Sequence, residues 1–139
     1  MPRRLGVGMR KAIDTNVLVR LKLIDNSEQS KRASALLASH ALFVSKTVML
    51  ETEWVFRSVY KLDQQVIAEY LQTFLEFPVL EFEDYEVVQL AVDAMRDGMD
   101  FADALHLFSA KDCDQLFSFD KDFARRAQEY RQAIEVIAP

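Results

Sequence analysis

The chain has 139 residues, half of them hydrophobic, with a formal charge of −5 and a single cysteine. This length fits one globular domain that buries about two thirds of its unfolded surface, and the lone Cys113 excludes a disulfide framework. The negative charge disfavours a broad basic nucleic-acid-binding surface, but it does not exclude clustered carboxylates that hold a divalent cation.

The N-terminal segment "MPRRLGVGMRK" is basic, but it lacks the apolar stretch of about 7–15 residues that a secretory signal requires. No apolar run approaches the roughly 20 residues of a membrane span. We therefore expect residues 1–8 to be a disordered leader, residues 9–139 to form one domain, and the protein to lie in a reducing compartment, the cytoplasm.

The first half of the chain alternates between strand and helix patterns. Lys11 to Asp14 predicts a short strand, and the helical spacing that follows predicts a helix capped by Thr15 or Asn16. The segment "QSKRASALLASH" predicts a second helix, and Ala41 to Ser45 a second strand.

Two further helices are predicted in "KTVMLETEWVFRSVYKL" and "DQQVIAEYLQTFLEF", the second capped by Asp63, before a strand in "PVLEFE". The amphipathic segment "DYEVVQLAVDAMRDG" predicts a helix ended by Gly98. A helix in "MDFADALHLFSA", a strand in "QLFSF", a helix in "DKDFARRAQEY" and a strand in "IEVI" complete the chain. This alternation predicts an α/β fold in which helices cover both faces of a parallel sheet.

Two aspartates follow predicted strands. Ligands of open parallel sheets bind at the carboxyl ends of strands, where Asp14 and Asp120 are expected. Asp14 favours a functional role because Thr15 and Asn16 could cap the next helix in its place. Asp120 is explained equally well as an ordinary helix cap.

Glu51 and Glu53 are distinguished by their helical phase. Glu53 shares a face with Arg57, Lys46 and Lys61, which predicts a solvated surface with an i,i+4 ion pair. Glu51 shares a face with Val48 and Val55. A carboxylate near a buried face needs compensation, and a cation would supply it.

The pair Asp100 and Asp103 begins an apolar helix. Asp100 stands where an N-cap belongs, so capping explains it well. Asp103 falls in the first turn, where backbone N–H groups favour an anion, but the cap already satisfies those donors. We therefore consider Asp103 the stronger candidate for a metal ligand and Asp100 an accessory one.

Four of these acids, Asp14, Glu51, Asp103 and Asp120, are predicted to lie close together in one cluster. Held close without metal, they would raise each other's pKa values, and one or two divalent ions would remove that repulsion. Such a metal can orient a phosphodiester and lower the pKa of a bound water. His106, one turn beyond Asp103, is more simply a core histidine, and Ser118 either orients Asp120 or ends its strand.

The motifs "AIDTNVLVR", "LETEWVFRSVY", "DFADALHLFSA" and "LFSFDKDFAR", in this order, resemble the PIN-domain ribonucleases, particularly the VapC toxins of type II toxin–antitoxin modules. The resemblance implies a three-layer α/β/α fold with a central parallel sheet in the order 3-2-1-4-5. It also implies RNA cleavage that depends on Mg²⁺ or Mn²⁺. The catalytic and metal-binding acids it implies are Asp14, Glu51, Asp103 and Asp120, with Asp100 as an additional acid and Asn16 and Ser118 as supporting residues.

The same resemblance implies partners. These are the RNA substrate, a VapB-like antitoxin that pushes a basic side chain toward the acidic site, and a second copy of the chain in a homodimer. Arg20, Lys46 and Lys121 are candidates for contacts with the substrate, and the sequence does not rank them.

Three other interpretations compete with the toxin. A PIN nuclease that processes RNA would have the same site without an antitoxin. A degenerate PIN domain could serve only for interactions, although the presence of all four acids disfavours this. A phosphoaspartyl hydrolase or a receiver domain would also place Asp14 at the end of a first strand. Such hydrolases, however, usually have a second aspartate where this chain has Asn16, and receiver domains have an acidic pair and a late lysine.

Overall fold

The structure is a computed structural model, and it describes residues 10–23, 25 and 27–139. The predicted leader, residues 1–8, lies outside this range, as does Met9. The predicted single domain therefore remains a prediction at its N-terminal boundary.

Strands and helices alternate through the described part of the chain much as the sequence pattern predicts. The strands are β1 (Lys11–Ala12), β2 (Leu42–Val44), β3 (Leu80–Phe82), β4 (Gln115–Phe117) and β5 (Glu135–Ile137). The helices are α1 (Thr15–Lys22), α2 (Glu28–Ser39), α3 (Lys46–Ser58), α4 (Gln64–Leu75), α5 (Tyr85–Arg96), α6 (Phe101–Ser109) and α7 (Lys121–Ala127).

All the strand pairs of the described residues are parallel. One sheet has the order β1-β2-β3, with Ala12 opposite Phe43 and Val44 opposite Phe82, and β4 pairs with β5 separately. The predicted order 3-2-1-4-5 is thus observed as a 3-2-1 run and a 4-5 pair, and no ladder joins β1 to β4 in the described range. The α/β class is confirmed, and the parallel strands with their connecting helices agree with a three-layer α/β/α arrangement.

The helices bury one shared apolar core. α3 packs against α1, α4 and α6, while α5 packs against α4 and α6. Phe56 of α3 is fully buried and lies edge-on to Tyr70, with a ring-centroid distance of 5.5 Å. A buried aromatic ring of this kind stabilises the fold by an amount of order 3–5 kcal/mol relative to alanine. The rigid helical layer therefore fixes where α3 and α6 present their polar residues.

Gly98 shapes the turn that places the start of α6. Its φ of +105° lies in the region that residues with a side chain avoid, and a Cβ there would come 3.3 Å from Nη1 of Arg126. The predicted end of the preceding helix at this glycine is confirmed, since α5 ends at Arg96. Asp100 follows the turn as the N-cap of α6.

The predicted helix cap of α1 differs from the one observed, whereas the predicted cap of α4 is confirmed in position. The N-cap of α1 is Asp14, not Thr15 or Asn16, and its carboxylate accepts a hydrogen bond from the Thr15 N–H at 2.7 Å. The predicted cap Asp63 does precede α4, but its side chain makes no capping hydrogen bond. The alternatives Thr15 and Asn16 fail because α1 begins one residue earlier than the apolar spacing indicates.

Within the described residues, every helix is too short or too polar to cross a bilayer.

Candidate functional site

The first turn of α6 holds two carboxylates together. Oδ1 of Asp100 accepts a hydrogen bond from the backbone N–H of Asp103 at 3.0 Å, which completes the predicted cap. Asp103 is half-buried, and Ala104, Leu105, Leu107 and Phe108, which follow it on α6, are buried apolar side chains. The cap therefore fixes the first turn, and the core holds the rest of the helix in place.

Asp103 lies in a negative environment that draws on two helices. Its pKa is raised above 3.8 by partial burial, and then by the negative charges of Asp100 and Asp120. His106, one turn further along α6, acts in the opposite direction. The structure therefore brings Asp100, Asp103 and Asp120 into one electrostatic environment.

Asp120 is held by hydrogen bonds on both sides. Its backbone N–H donates to Oγ of Ser118 at 3.1 Å, and its Oδ1 accepts from the Phe123 N–H at 3.1 Å as the N-cap of α7. Ser118 thus fixes the backbone at Asp120, which is the orienting alternative that the sequence left open. The carboxylate keeps a second oxygen for other partners.

Asp14 and Asn16 lie at the end of β1 and in the first turn of α1, and both are exposed. The pKa of Asp103 reports the charges of Asp100 and Asp120, and Asp14 and Glu51 are not among its causes. The catalytic and metal-binding assignments of Asp14, Glu51, Asp103 and Asp120 all remain predictions, and the structure places only Asp103 and Asp120 in one electrostatic environment.

The two glutamates of α3 have the opposite burial to the one predicted. Glu53 is buried with 4% of its surface exposed, whereas Glu51 is exposed. The buried face of α3 consists of Met49, Thr52, Glu53 and Phe56, at the i, i+3, i+4, i+7 spacing of a core-facing stripe. The prediction that Glu53 is a surface residue is wrong, as is the placement of Glu51 near the core.

The predicted ion pair between Glu53 and Arg57 is nevertheless present. Nε of Arg57 donates to both carboxylate oxygens of Glu53, at 3.1 and 3.2 Å. This hydrogen bonding, together with the charges of Glu53 and then Asp100, raises the pKa of Arg57. Arg57 therefore connects the buried Glu53 electrostatically with Asp100 in the acidic cluster. The sequence signal for this connection was the i,i+4 spacing, which was interpreted as solvated surface.

His106 is exposed, so the prediction of a core histidine is wrong. The buried residues of α6 are Phe101, Ala104, Leu105, Leu107 and Phe108, which leaves the face of Asp103 and His106 toward solvent.

Two of the three candidate basic residues already have acidic partners. Lys46 lies 2.8 Å from Oδ2 of Asp84, and Arg20 lies 3.0 Å from Oδ2 of Asp25. Lys121, the residue after Asp120, is exposed and forms no ion pair with the other described residues.

The donor chemistry of the cluster suits a divalent cation. Asp100, Asp103 and Asp120 supply hard carboxylate oxygens, the ligands that Mg²⁺ and Mn²⁺ prefer, and their mutual repulsion is the kind that a cation relieves. In the described ranges, however, no three acidic, histidine or cysteine side chains are grouped closely enough to hold a metal as they stand. Asp14, Asp100 and Asp120 each accept a hydrogen bond from a backbone N–H in the first turn of the helix that they precede.

A comparison with protein families identifies the domain. The model of the PIN domain matches residues 11–129, which is most of the chain. The chain belongs to the PIN domain family. PIN domains are generally metal-dependent nucleases, so a nuclease of this superfamily is what family membership supports. No curated protein matches the chain.

Proposed function

We propose that this PIN domain is a metal-dependent endoribonuclease that hydrolyses RNA phosphodiester bonds at its acidic cluster. The observation that carries the proposal is the first turn of α6, where Oδ1 of Asp100 accepts a hydrogen bond from the Asp103 N–H at 3.0 Å and the half-buried Asp103 is held beside it. The pKa of Asp103, which is raised by partial burial and by the charges of Asp100 and Asp120, supports the same placement. Shifted carboxylates at a half-exposed position are typical of metal and catalytic sites. A purely structural cluster of this kind would leave its repulsion uncompensated.

Asp103 and Asp120 are the proposed ligands of Mg²⁺ or Mn²⁺, with Asp100 as an accessory ligand and Asp14 and Glu51 completing the set. When bound, such an ion supplies a water of lowered pKa and an anchor for the phosphate of the substrate. The protein contributes the positions of the acids. Ser118 fixes the backbone of Asp120, and the cap of α6 fixes Asp103. Arg57, although it is paired with Glu53, also interacts favourably with the charge of Asp100.

We further propose that the nuclease acts as a toxin of the VapC type with a VapB-like antitoxin, and that it forms a homodimer. The support is the motif resemblance over nearly the whole domain and the acidic charge of −5, which suits an inhibitor that inserts a basic side chain. Large exposed apolar side chains on and after α3, Trp54 at 52% and Val59 at 59%, offer surface for protein contacts.

The test is RNA cleavage by the purified protein, with Mg²⁺ or Mn²⁺ and with a chelator. We expect cleavage only with metal. Asp103→Asn and Asp14→Asn should each reduce the rate by at least about a hundredfold, since each removes a charged ligand from the reacting centre.

The matched control is Asp114→Asn. Asp114 directly precedes β4, whereas Asp120 lies beyond its other end, so the same change of charge is made away from the cluster. The control should cleave like the wild type. Cleavage that persists in chelator, or full activity of Asp103→Asn, would contradict the mechanism.

The toxin role is tested in cells. Expression should arrest growth, Asp103→Asn should abolish the arrest, and co-expression of the product of an adjacent small reading frame should relieve it. Arrest that survives Asp103→Asn would exclude a toxin acting through this site.

A further inference from the structure

A cleft of about 340 Å³ lies between α1 and α2, apart from the acidic cluster. Its volume falls within the range of about 300–1,000 Å³ that is typical of small-ligand pockets. The lining of the cleft includes Asn16, which is two residues after the predicted catalytic acid Asp14 in the sequence. Its size admits a single nucleotide rather than a duplex.

The lining of the cleft combines three kinds of group. Arg20 and Arg32 supply positive charge, and Val17 and Leu36 supply apolar surface. The side-chain amides of Asn16 and Gln29 supply paired donors and acceptors. In a nucleotide, the positive charge suits the phosphate, the apolar surface suits the sugar and the faces of the base, and the amides suit the hydrogen-bonding edge of the base.

The two arginines are not equivalent. Nη1 of Arg20 donates to Oδ2 of Asp25 at 3.0 Å, so part of its charge is already compensated. Arg32 is exposed and pairs with no acid among the described residues. Among the residues that the structure describes, no carboxylate lines the cleft itself. In a chain with a charge of −5, this is a local basic site, and Arg32 is the lining cation that no described acid neutralises.

We infer that the α1–α2 cleft binds one nucleotide of single-stranded RNA, with a backbone phosphate on Arg32, and so anchors the strand at a point outside the acidic cluster. This inference rests on the proposed RNA substrate. Arginine is suited to the role because its planar guanidinium donates two parallel hydrogen bonds to a phosphate.

The test measures binding without cleavage. Fluorescence anisotropy of a labelled single-stranded RNA oligonucleotide is followed on Asp103→Asn protein in chelator, over a series of salt concentrations. Arg32→Gln should weaken binding about tenfold and flatten the slope of log K against log salt by about 0.7, the contribution of one phosphate contact on a single strand.

A second variant keeps the size of the side chain and changes only its charge. Gln29→Glu places an anion in the cleft, and because residue 29 lies in the first turn of α2 the added carboxylate suits the helix dipole and preserves folding. It should weaken RNA binding at least as much as Arg32→Gln. The matched control Gln132→Glu adds the same charge at an exposed position after α7 and should bind like the parent.

Unchanged affinity in both Arg32→Gln and Gln29→Glu overturns the inference, as does an equal loss in Gln132→Glu, which would indicate a general effect of charge. The inference is also overturned if the substitutions in the cleft weaken binding of a protein partner but leave RNA binding unchanged. A failure of the proposed function can be distinguished from a failure of this inference. If the wild type binds RNA through the cleft but does not cleave it with Mg²⁺ or Mn²⁺, the nuclease proposal is wrong and the binding site stands.

Discussion

Asp103 is subject to two opposing effects in the metal-free protein. Its position in the first turn of α6 places it near the positive end of the helix dipole, which favours the anion by roughly 0.3–1 kcal/mol. Partial burial and the charges of Asp100 and Asp120 favour the neutral acid. Since the pKa is raised overall, the second effect is the larger, and the charged form of Asp103 destabilises the fold without metal.

This balance predicts that Asp103→Asn stabilises the metal-free protein at neutral pH. From pH 3.8 up to the raised pKa of Asp103, the folded chain binds more protons than the unfolded chain, so wild-type stability falls as pH rises through that window. The variant avoids this loss. We expect a gain of no more than about 1 kcal/mol in the free energy of unfolding at pH 7, because water screens a half-exposed site.

Urea unfolding of both proteins in chelator, at pH 7 and below pH 3.8, measures this difference. The gain should disappear at the lower pH, where Asp103 is protonated in both states. A variant that is less stable than the wild type at pH 7 would show that the dipole outweighs the repulsion, against the direction of the pKa.

The glutamates of α3 show how far residue-level prediction reaches. The i,i+4 ion pair of Glu53 with Arg57 was predicted from spacing alone and is confirmed. The burial of Glu53 was not predicted, because both candidate faces of α3 carry apolar residues: Val48 and Val55 on one, Met49 and Phe56 on the other. Only the packing of α3 against α1 and α6 decides between the two faces.

The N-cap aspartates of the helices differ in whether their side chains make a capping hydrogen bond. Asp100 accepts a hydrogen bond from the Asp103 N–H, whereas Asp63, the N-cap of α4, makes no side-chain capping bond. Asp100→Ala should therefore destabilise the protein by about 0.5–2 kcal/mol, the usual range for a lost cap. Asp63→Ala should have less than half that effect.

Thermal and urea unfolding of the two alanine variants provide the comparison. Equal destabilisation by both would indicate that Asp100 stabilises α6 through its charge alone and not through the capping bond, because Asp63 shares the charge and lacks the bond.

Most helices and strands could be predicted from the sequence because the residues that begin and end them are close in sequence to the elements themselves. Asp100 and Gly98 mark the boundaries on either side of the α5–α6 turn, and the helices in this region begin and end close to the predicted residues. The exposed rings of Phe117 and Phe119, at 62% and 83%, could not be predicted. Their alternation with Leu116 and Ser118 indicates a strand, but it does not indicate which face another element covers.

At the scale of the whole molecule, the family and the parallel α/β architecture were predictable from the ordered motifs, and the match over residues 11–129 confirms them. The positions of the acidic side chains relative to one another could not be predicted from the sequence. Asp100 and Asp120 come from helices separated by a turn and a strand, and their meeting near Asp103 depends on how α6 and α7 are placed. Sequence spacing carries no information about the directions in which the capping bonds hold their carboxylates.

We propose that Asp100, Asp103 and Asp120 form one cation-binding cluster. Calorimetric titration of Mn²⁺ into the wild type, Asp103→Asn and Asp114→Asn is the decisive measurement. We predict saturable binding to the wild type and to Asp114→Asn, and binding at least about tenfold weaker for Asp103→Asn, which lacks a charged ligand. Equal Mn²⁺ affinity in Asp103→Asn and the wild type, or no binding to the wild type, would contradict the claim.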